Sequence, residues 1–321
     1  MSALSESSGA RWAADRRRRR RARRLEEQEE LVPLRLFGLG RGTVALITLA
    51  CAVFAVFTLI PIVWVLFNST KGQTSLLSSF GFWFAGPFKF FDNFSSLFQN
   101  VDGDGVYFQW FVNTLLYAVV GGVGATILST LAGYGFARFA FRGSRGLFVF
   151  VLSALLVPVT AISYPLFLVY AHVGLINSAW GMILPSMVAP VGVYLMKTFI
   201  DAAVPQELID AARVDGAGEF RIFRRLALPL MAPAFMTVLL INVVAVWNNY
   251  FLPFIIFSEN SRFPLTVGMG VWASRAQASG DTRIFPLIVI GGLVTMVPLI
   301  LLFWLIQKKW RGGLLVGGLA N

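Results

Sequence analysis

TVALITLACAVFAVFTLIPIVWVLF (Thr43–Phe67) runs for 25 residues without a charged side chain. As a helix it would rise about 38 Å, enough to cross the roughly 30 Å hydrocarbon core of a bilayer. Asn68-Ser69-Thr70 follows it rather than a small-residue cleavage site. The segment therefore reads as a retained signal anchor. Five further stretches share its character: Tyr107–Leu131, Leu147–Ala171, Ser178–Met196, Ala232–Phe257 and Ile284–Ile306. None holds Asp, Glu, Lys, Arg or His. The fourth of the six is short and contains Pro185 and Pro190, which predicts a kinked or broken helix. The whole chain of 321 residues is 57% hydrophobic and 13% charged, with mean hydropathy +0.71. Such a composition suits a chain whose solvent is lipid. The fold class expected is an all-α membrane protein with six transmembrane helices. Residues 1–42 form a basic tail expected to be disordered, 43–67 the first span, 68–106 an external segment, 107–306 a core of five spans and 307–321 a C-terminal tail.

A net charge of +11 could signal nucleic acid, but its distribution argues otherwise. Residues 1–42 hold 11 of the 27 Lys and Arg, including the unbroken run Arg16–Arg21. Such an arm is expected to lie on anionic membrane lipid and to fix topology. With the N-terminus in the cytoplasm, the inside segments carry 22 basic residues and the outside segments five: Lys71, Lys89, Arg262, Arg275 and Arg283. Without the tail the count is still 11 against five. Both termini are therefore expected to be cytoplasmic. The outer segment is dense in aromatics, with Phe80, Phe82, Trp83, Phe84, Phe88, Phe90 and Phe91. These read either as an interfacial loop or short helix at head-group level or as a contact with a partner subunit. Cys51 is the single cysteine and allows no disulfide within the chain.

The inside loop of residues 201–231 carries the functional reading. It includes VPQELIDAARVDGAGEFRIFRRLALPLMAP, Val204–Pro233. Pro205 suits the first turn of a helix, and Glu207 sits where the helix dipole favours negative charge. Leu208, Ala211 and Ala212 share one face at i, i+3 and i+4. Gly216 stands where a helix end wants a left-handed residue. A second short helix from about Gly218 would place Phe220, Phe223 and Leu226 on one side and Arg221, Arg224 and Arg225 largely on the other. Leu228-Pro229 is expected to end it. The loop reads as a helix-turn-helix elbow with a small-residue nose, or else as an amphipathic loop packed under its own bundle.

The spacing resembles the cytoplasmic signature of binding-protein-dependent ABC importer permeases. That signature is Glu-Ala-Ala, three residues, Gly, nine residues, Ile, one residue, Leu-Pro. This chain has Asp210-Ala211-Ala212, Gly216, Leu226 and Leu228-Pro229 at the same spacing. Asp replaces Glu and Leu replaces Ile. The resemblance extends over residues 90–321. FVNTLLYAVVGG, LAGYGFARFAFRG, VPVTAISYPLFLVYAHVGLINSAWGMIL, WNNYFLPFII and FPLTVGMGVW are similar to the sugar-importer branch. QKKWRGGLLVGG (Gln307–Gly318) resembles the tail of permeases in maltose-type systems. The resemblance implies a heterocomplex in a bacterial cytoplasmic membrane. Its partners would be a second homologous permease, an ABC ATPase dimer holding ATP and Mg, and an extracellular or periplasmic sugar-binding protein. Asp210, Ala211, Ala212, Asp215, Gly216, Leu208 and Phe220 would contact the ATPase. Gln307, Lys308, Gly313 and Leu314 are candidates for a tail contact with the ATPase dimer.

The chain itself shows no phosphate loop, because none of its five lysines follows a glycine. No His/Cys cluster suggests a metal, and His172 is the only histidine. No cofactor is expected on this chain, which is not read as an enzyme. The absence of an ionisable group within any span speaks against an ion-coupled secondary transporter; an ion-independent channel or secondary transporter is the alternative from a different class. Sugar contact would need aromatic faces beside neutral amides. Trp247-Asn248-Asn249-Tyr250 offers both, with Asn242, Asn113 and Thr114 as weaker candidates. The same cluster could instead bond neighbouring helices. An ABC permease for glycerol phosphate or a polyol is the alternative substrate reading.

Overall fold

The computed structural model describes residues 41–99 and 105–317, with the side chains of Arg41, Val159 and residues 308–317 outside the description. The readings made for the Arg16–Arg21 run, and for the side chains of Lys308, Gly313 and Leu314, fall outside it. The described residues up to Val63 form one compact unit and those from Trp64 a second. The first is the bulk of α1 (Arg41–Ser69), whose apolar side chains, among them Phe54, Phe57 and Cys51, are exposed. Thr48 and Thr58 turn their hydroxyls onto the carbonyls of Val44 and Ala55 in the same helix. Hydroxyls turned onto the helix's own carbonyls suit lipid.

In the second unit α2 (Gln73–Ser78) and α3 (Phe90–Phe98) lie in the segment expected to be external. A small polar knot holds it. Asn68 Nδ2 donates to the carbonyls of Trp64 and Gly81, and Asn93 Nδ2 to those of Ser69 and Lys71. The buried Lys71 ammonium donates to the Phe80 carbonyl at 2.7 Å. Burial holds its pKa below the ordinary lysine range. Around this knot Phe80, Trp83, Phe88 and Phe91 stay exposed.

The centre of the unit is α4 (Val106–Arg138). It is followed by α5 (Ser144–Ser153), α6 (Val159–Val173), α7 (Ala179–Ser186) and α8 (Pro190–Ala203). Next come the elbow helices α9 (Gln206–Val214) and α10 (Glu219–Ile222). Then follow α11 (Ala232–Trp247), α12 (Phe251–Ile256), α13 (Leu265–Ser279) and α14 (Ile284–Gly317). Glycine lets α4 approach its neighbours. A Cβ on Gly122 would lie 2.8 Å from the Val243 Cα in α11, and one on Gly133 2.9 Å from the Lys197 backbone nitrogen in α8. One buried cluster, with Trp110, Tyr117, Trp247 and Ile290, lies around the first half of α4. A second, with Tyr134, Met196, Ile200, Ile209, Ile222 and Met231, joins its far end to the elbow.

Among the described residues five stretches are long and apolar enough to cross a membrane: Gly42–Ser69, Val106–Arg138, Ala179–Ala203, Ala232–Ile256 and Ile284–Gln307. The third run differs from the expectation. Instead of one helix over Leu147–Ala171 there are two, Ser144–Leu156 and Thr160–Val173, at 101° to each other. Pro158 removes a backbone donor and drives Val157 into an extended conformation (φ −85°, ψ 117°). The expected break in the fourth run is present, at Met187–Ala189 between α7 and α8. The fifth run also breaks, at Asn248–Tyr250. At the C-terminus α14 continues through Gly317, so much of the expected tail is helical.

Candidate functional site

The elbow begins where α8 ends. Pro205 precedes α9, and Glu207 lies in its first turn. At the other end Gly216 takes φ +77°. Its N–H donates to the Arg213 carbonyl and the Ala217 N–H to the Ala212 carbonyl, each at 3.0 Å. This pair of bonds is the Schellman motif, which closes a helix on a left-handed glycine. Gly218 then caps α10. Arg213 braces the two helices: its Nη1 reaches Asp210 Oδ1 at 2.9 Å and its Nε reaches Glu219 Oε1 at 2.7 Å. Hydrogen bonding to Glu219, with the charges of Glu219 and Asp210, raises the Arg213 pKa further. Gln206 Nε2 also donates to Asp210 Oδ1. The carboxylate that stands at the Glu position of the signature is thus engaged within the elbow.

Ile209 and Ile222 anchor the elbow in the second cluster, and Ala212, Phe223 and Leu226 pack against it. Leu208, Asp210, Ala211, Asp215, Gly216 and Phe220 are exposed. Two expectations are corrected here. Phe220 does not share a side with Phe223 and Leu226: it is 74% exposed while they face the core. Leu228-Pro229 does not end the second helix. Residues 223–227 form a π-helical turn, in which the Leu228 N–H bonds the Phe223 carbonyl, and the chain stays helical through Leu230. The wider turn lets the helix carry Pro229, which would clash in an unbroken α-helix. Val214, 88% exposed beside Asp215, belongs to the same outer face and has no periodic signal to mark it.

Below α8 the Arg138 side chain is 7% exposed. Its Nη2 donates to the carbonyls of Ile200 and Val204 and its Nη1 to that of Ala137, with Asp201 Oδ1 at 3.5 Å. The Ile200 carbonyl also accepts the Val204 N–H, so the guanidinium adds a second bond there and supplies the one the Val204 carbonyl takes, as a cation at a helix C-terminus can.

The candidate sugar contacts separate. Trp247 is buried, edge to face with Phe111 at 6.2 Å. Asn242 Nδ2 bonds Thr126 Oγ1 between α11 and α4. Asn113 and Thr114 bond the segment before α13. Asn249 Oδ1 accepts from the Leu252 N–H at the start of α12, and the Asn249 carbonyl accepts from Thr266 Oγ1. Asn248 and Tyr250 remain exposed. Tyr250 stacks on Phe254 and lies over Gly270, where a Cβ would meet its ring at 3.1 Å. Asn248 Nδ2 donates to the Val244 carbonyl at 2.9 Å, so the break at Asn248–Tyr250 presents an amide with one bond already made and one aromatic face. Gln307 is half-buried on α14.

Comparison with known proteins bears on what such an arrangement serves. Residues 125–309 match the family described as binding-protein-dependent transport system inner membrane component. The arabinooligosaccharides transport system permease protein AraQ of Bacillus subtilis is 32% identical over 86% of this chain and 95% of its own length. The diacetylchitobiose uptake system permease protein NgcG of Streptomyces coelicolor is 29% identical over 82% of this chain and 85% of its own. The maltodextrin transport system permease protein MdxG of Bacillus subtilis is 30% identical over 71% and 79%. A crystal structure of a bacterial ABC transporter that imports the acidic polysaccharide alginate contains a chain of like fold, with TM-score 0.70 at 19% identity over 84% of this chain and 98% of that one. With its all-helical fold and its apolar spans, the chain belongs to the binding-protein-dependent transport system inner membrane components, alongside permeases of sugar uptake systems, and is a multi-pass protein of the bacterial inner membrane.

Proposed function

We propose that this chain forms half of the translocation pathway of an ATP-driven sugar importer and takes its mechanical drive from a separate ATPase subunit seated against the elbow. The observation that carries the reading is that the Asp210–Pro229 signature forms a braced turn with its outer face uncovered. Leu208, Ala211, Val214, Asp215, Gly216 and Phe220 make up that face. Ala211 and Gly216 let a partner approach the backbone closely, and Phe220 supplies an apolar anchor of the kind that dominates interface energy. ATP and Mg bind on the partner. Closure of the ATPase dimer shifts the elbow, the spans follow as near-rigid bodies, and the cavity opens outward. Hydrolysis returns it inward. A second permease completes the pore, and an external binding protein delivers the sugar. The C-terminal residues Gln307, Lys308, Gly313 and Leu314 are proposed to reach the ATPase dimer.

The named relatives above handle oligosaccharides, which supports a neutral oligosaccharide as substrate. Asn248 and Tyr250 are its proposed contacts, because an exposed amide in a span is costly against lipid. Glycerol phosphate is disfavoured by the lack of any basic side chain within the six apolar runs. The decisive experiment purifies the chain in detergent and then assays Gly216→Pro in the assembled complex. Co-purification of an ATPase and a second permease is expected, and the variant should hydrolyse ATP without transport. A homo-oligomer running alone, or full transport by Gly216→Pro, would remove the proposal. For the pathway, Tyr250→Ala should lower sugar uptake without loss of assembly. An unaltered uptake rate returns that residue to packing.

A further inference from the structure

Each of the six apolar runs except one contains proline: Pro61, Pro158 and Pro165, Pro185 and Pro190, Pro233 and Pro253, Pro286 and Pro298. The exception is the run inside α4, and the 33 residues of α4 hold no proline at all. Its ladder is therefore uninterrupted over about 50 Å. Thr114, Thr126 and Thr130 bond carbonyls within the helix four residues back, which keeps their polar groups satisfied along its length.

Both ends of α4 are gripped by polar side chains that hold backbone of distant segments. At the outer end Trp110 Nε1 donates to the Asn260 carbonyl at 2.9 Å, and Asn113 Nδ2 to the carbonyls of Ser261 and Phe263 at 2.8 and 3.0 Å. Tyr117 donates to the Arg262 carbonyl, and Thr114 Oγ1 accepts the Leu265 N–H at 2.7 Å. Five successive positions from 260 to 265 except Pro264 are thus held by one helix, and α13 starts from them. Gly268 of α13 lies so close to Trp110 that a Cβ there would overlap the indole at 2.2 Å. At the inner end Arg138 holds the carbonyls of Ile200 and Val204. Val204 is two residues before α9.

We infer that α4 is a transmission rod joining the elbow to the external segment 258–265, with Arg138 as its inner grip and Asn113 as its outer one. Both are positioning residues that act through the segments they hold. The inference rests on the elbow docking proposed above. A push on α9 is delivered through Val204 to Arg138, because Val204 cannot move away without leaving its carbonyl and the buried Arg138 Nη2 short of a partner. The rod then carries the displacement to the loop that begins α13. A softer helix, kinked at proline like its neighbours, would dissipate it.

The test uses the full complex in nanodiscs with its external binding protein, and measures the ratio of stimulated to basal ATPase. Arg138→Gln and Asn113→Ala are each expected to lower that ratio about fivefold or more. Affinity of the binding protein for the nucleotide-free complex should be unchanged. Because the two grips act in series, the double variant should be no worse than the worse single one. Arg138→Lys, which keeps the charge and one donor direction, should recover part of the ratio. Losses that multiply in the double variant, or an unchanged ratio in Asn113→Ala, overturn the rod. Should Arg138→Gln fail to assemble, Asn113→Ala decides alone, since it lies at the far end from the elbow. If Gly216→Pro uncouples the complex and the α4 variants do not, the rod fails and the docking stands. If Gly216→Pro has no effect, the docking itself is wrong.

Discussion

Gly216 and Gly122 are needed for different reasons, and substitution separates them. At Gly216, with φ +77°, no atom lies within 4 Å of the site a Cβ would take. Any penalty there comes from the backbone, roughly 1–2 kcal/mol for an L-residue held left-handed. Asparagine tolerates that region better than other side chains. The expected order of retained transport is therefore Gly216→Asn above Gly216→Ala above Gly216→Val, read as sugar uptake at equal complex in the membrane. Gly122 has an ordinary helical backbone, and its penalty is steric: an added Cβ would meet the Val243 backbone nitrogen at 2.9 Å and its Cα at 2.8 Å. Backbone cannot rotate away as a side-chain tip can. Gly135, in the same helix, has open space at that position. Thermal unfolding in detergent should show Gly122→Ala melting lower. Gly135→Ala should be more stable by roughly 0.5–1 kcal/mol, the difference between the two residues in a helix interior.

The elbow and the external turn show what short segments can hold by themselves. Around Gly280 the Asp281 carboxylate accepts two hydrogen bonds from the Arg283 guanidinium, both at 2.9 Å, and one from the Arg283 N–H. These bonds pull the Asp281 pKa down to about 2. A carboxylate depressed below its unfolded value of about 3.9 contributes fully above that pH and loses its contribution as pH falls toward 2. The protection factors of amides at residues 279–284, taken against the intrinsic exchange rate at each pH, should therefore fall between about pH 4 and pH 2, and Asp281→Asn should abolish that fall. The elbow was legible in the sequence because its determinants are local: Glu207 at a helix start, Gly216 at a helix end, and the gap lengths of the signature. The brace from Arg213 was half legible. Asp210 lies three residues before it, but Glu219 reaches it only once the Gly216 turn is made. The π-turn at 223–227 was not legible, since it arises from carrying Pro229 inside a helix that stays anchored by Ile222 and Ala227. That turn also rotates Phe223 and Leu226 away from Phe220. The polar break at Asn248–Tyr250 was read as mid-helix because two amides in an otherwise apolar run do not by themselves end a helix, and the role of Asn113 needed a loop 148 residues away.

At the scale of the whole molecule, every functional statement turns on which side of the membrane the elbow faces. The charge argument is redundant enough to be tested severely. With the N-terminus inside, 22 basic residues lie in inside segments and five in outside ones. Neutralising Arg16–Arg21 removes six from the inside total and leaves the bias intact. If the loops alone suffice for orientation, the expected part of the arm in fixing topology is dispensable, and the neutralised variant tests that. Two exposed positions report the sides. Ser279 ends α13 in the expected external segment, and Val214 is the most exposed apolar residue of the elbow. Cys51 is exposed on α1, so the background must be Cys51→Ala. In intact cells a membrane-impermeant maleimide should modify Ser279→Cys. It should reach Val214→Cys only after permeabilisation, and both patterns should persist when Arg16–Arg21 is replaced by serine. Cytoplasmic shielding of Val214→Cys should deepen when the ATPase is co-expressed, because the elbow's outer face is then covered. Labelling of Val214→Cys from outside would place the elbow where no ATP-hydrolysing partner can reach it. The mechanical reading would then fail for the molecule as a whole, whatever its family.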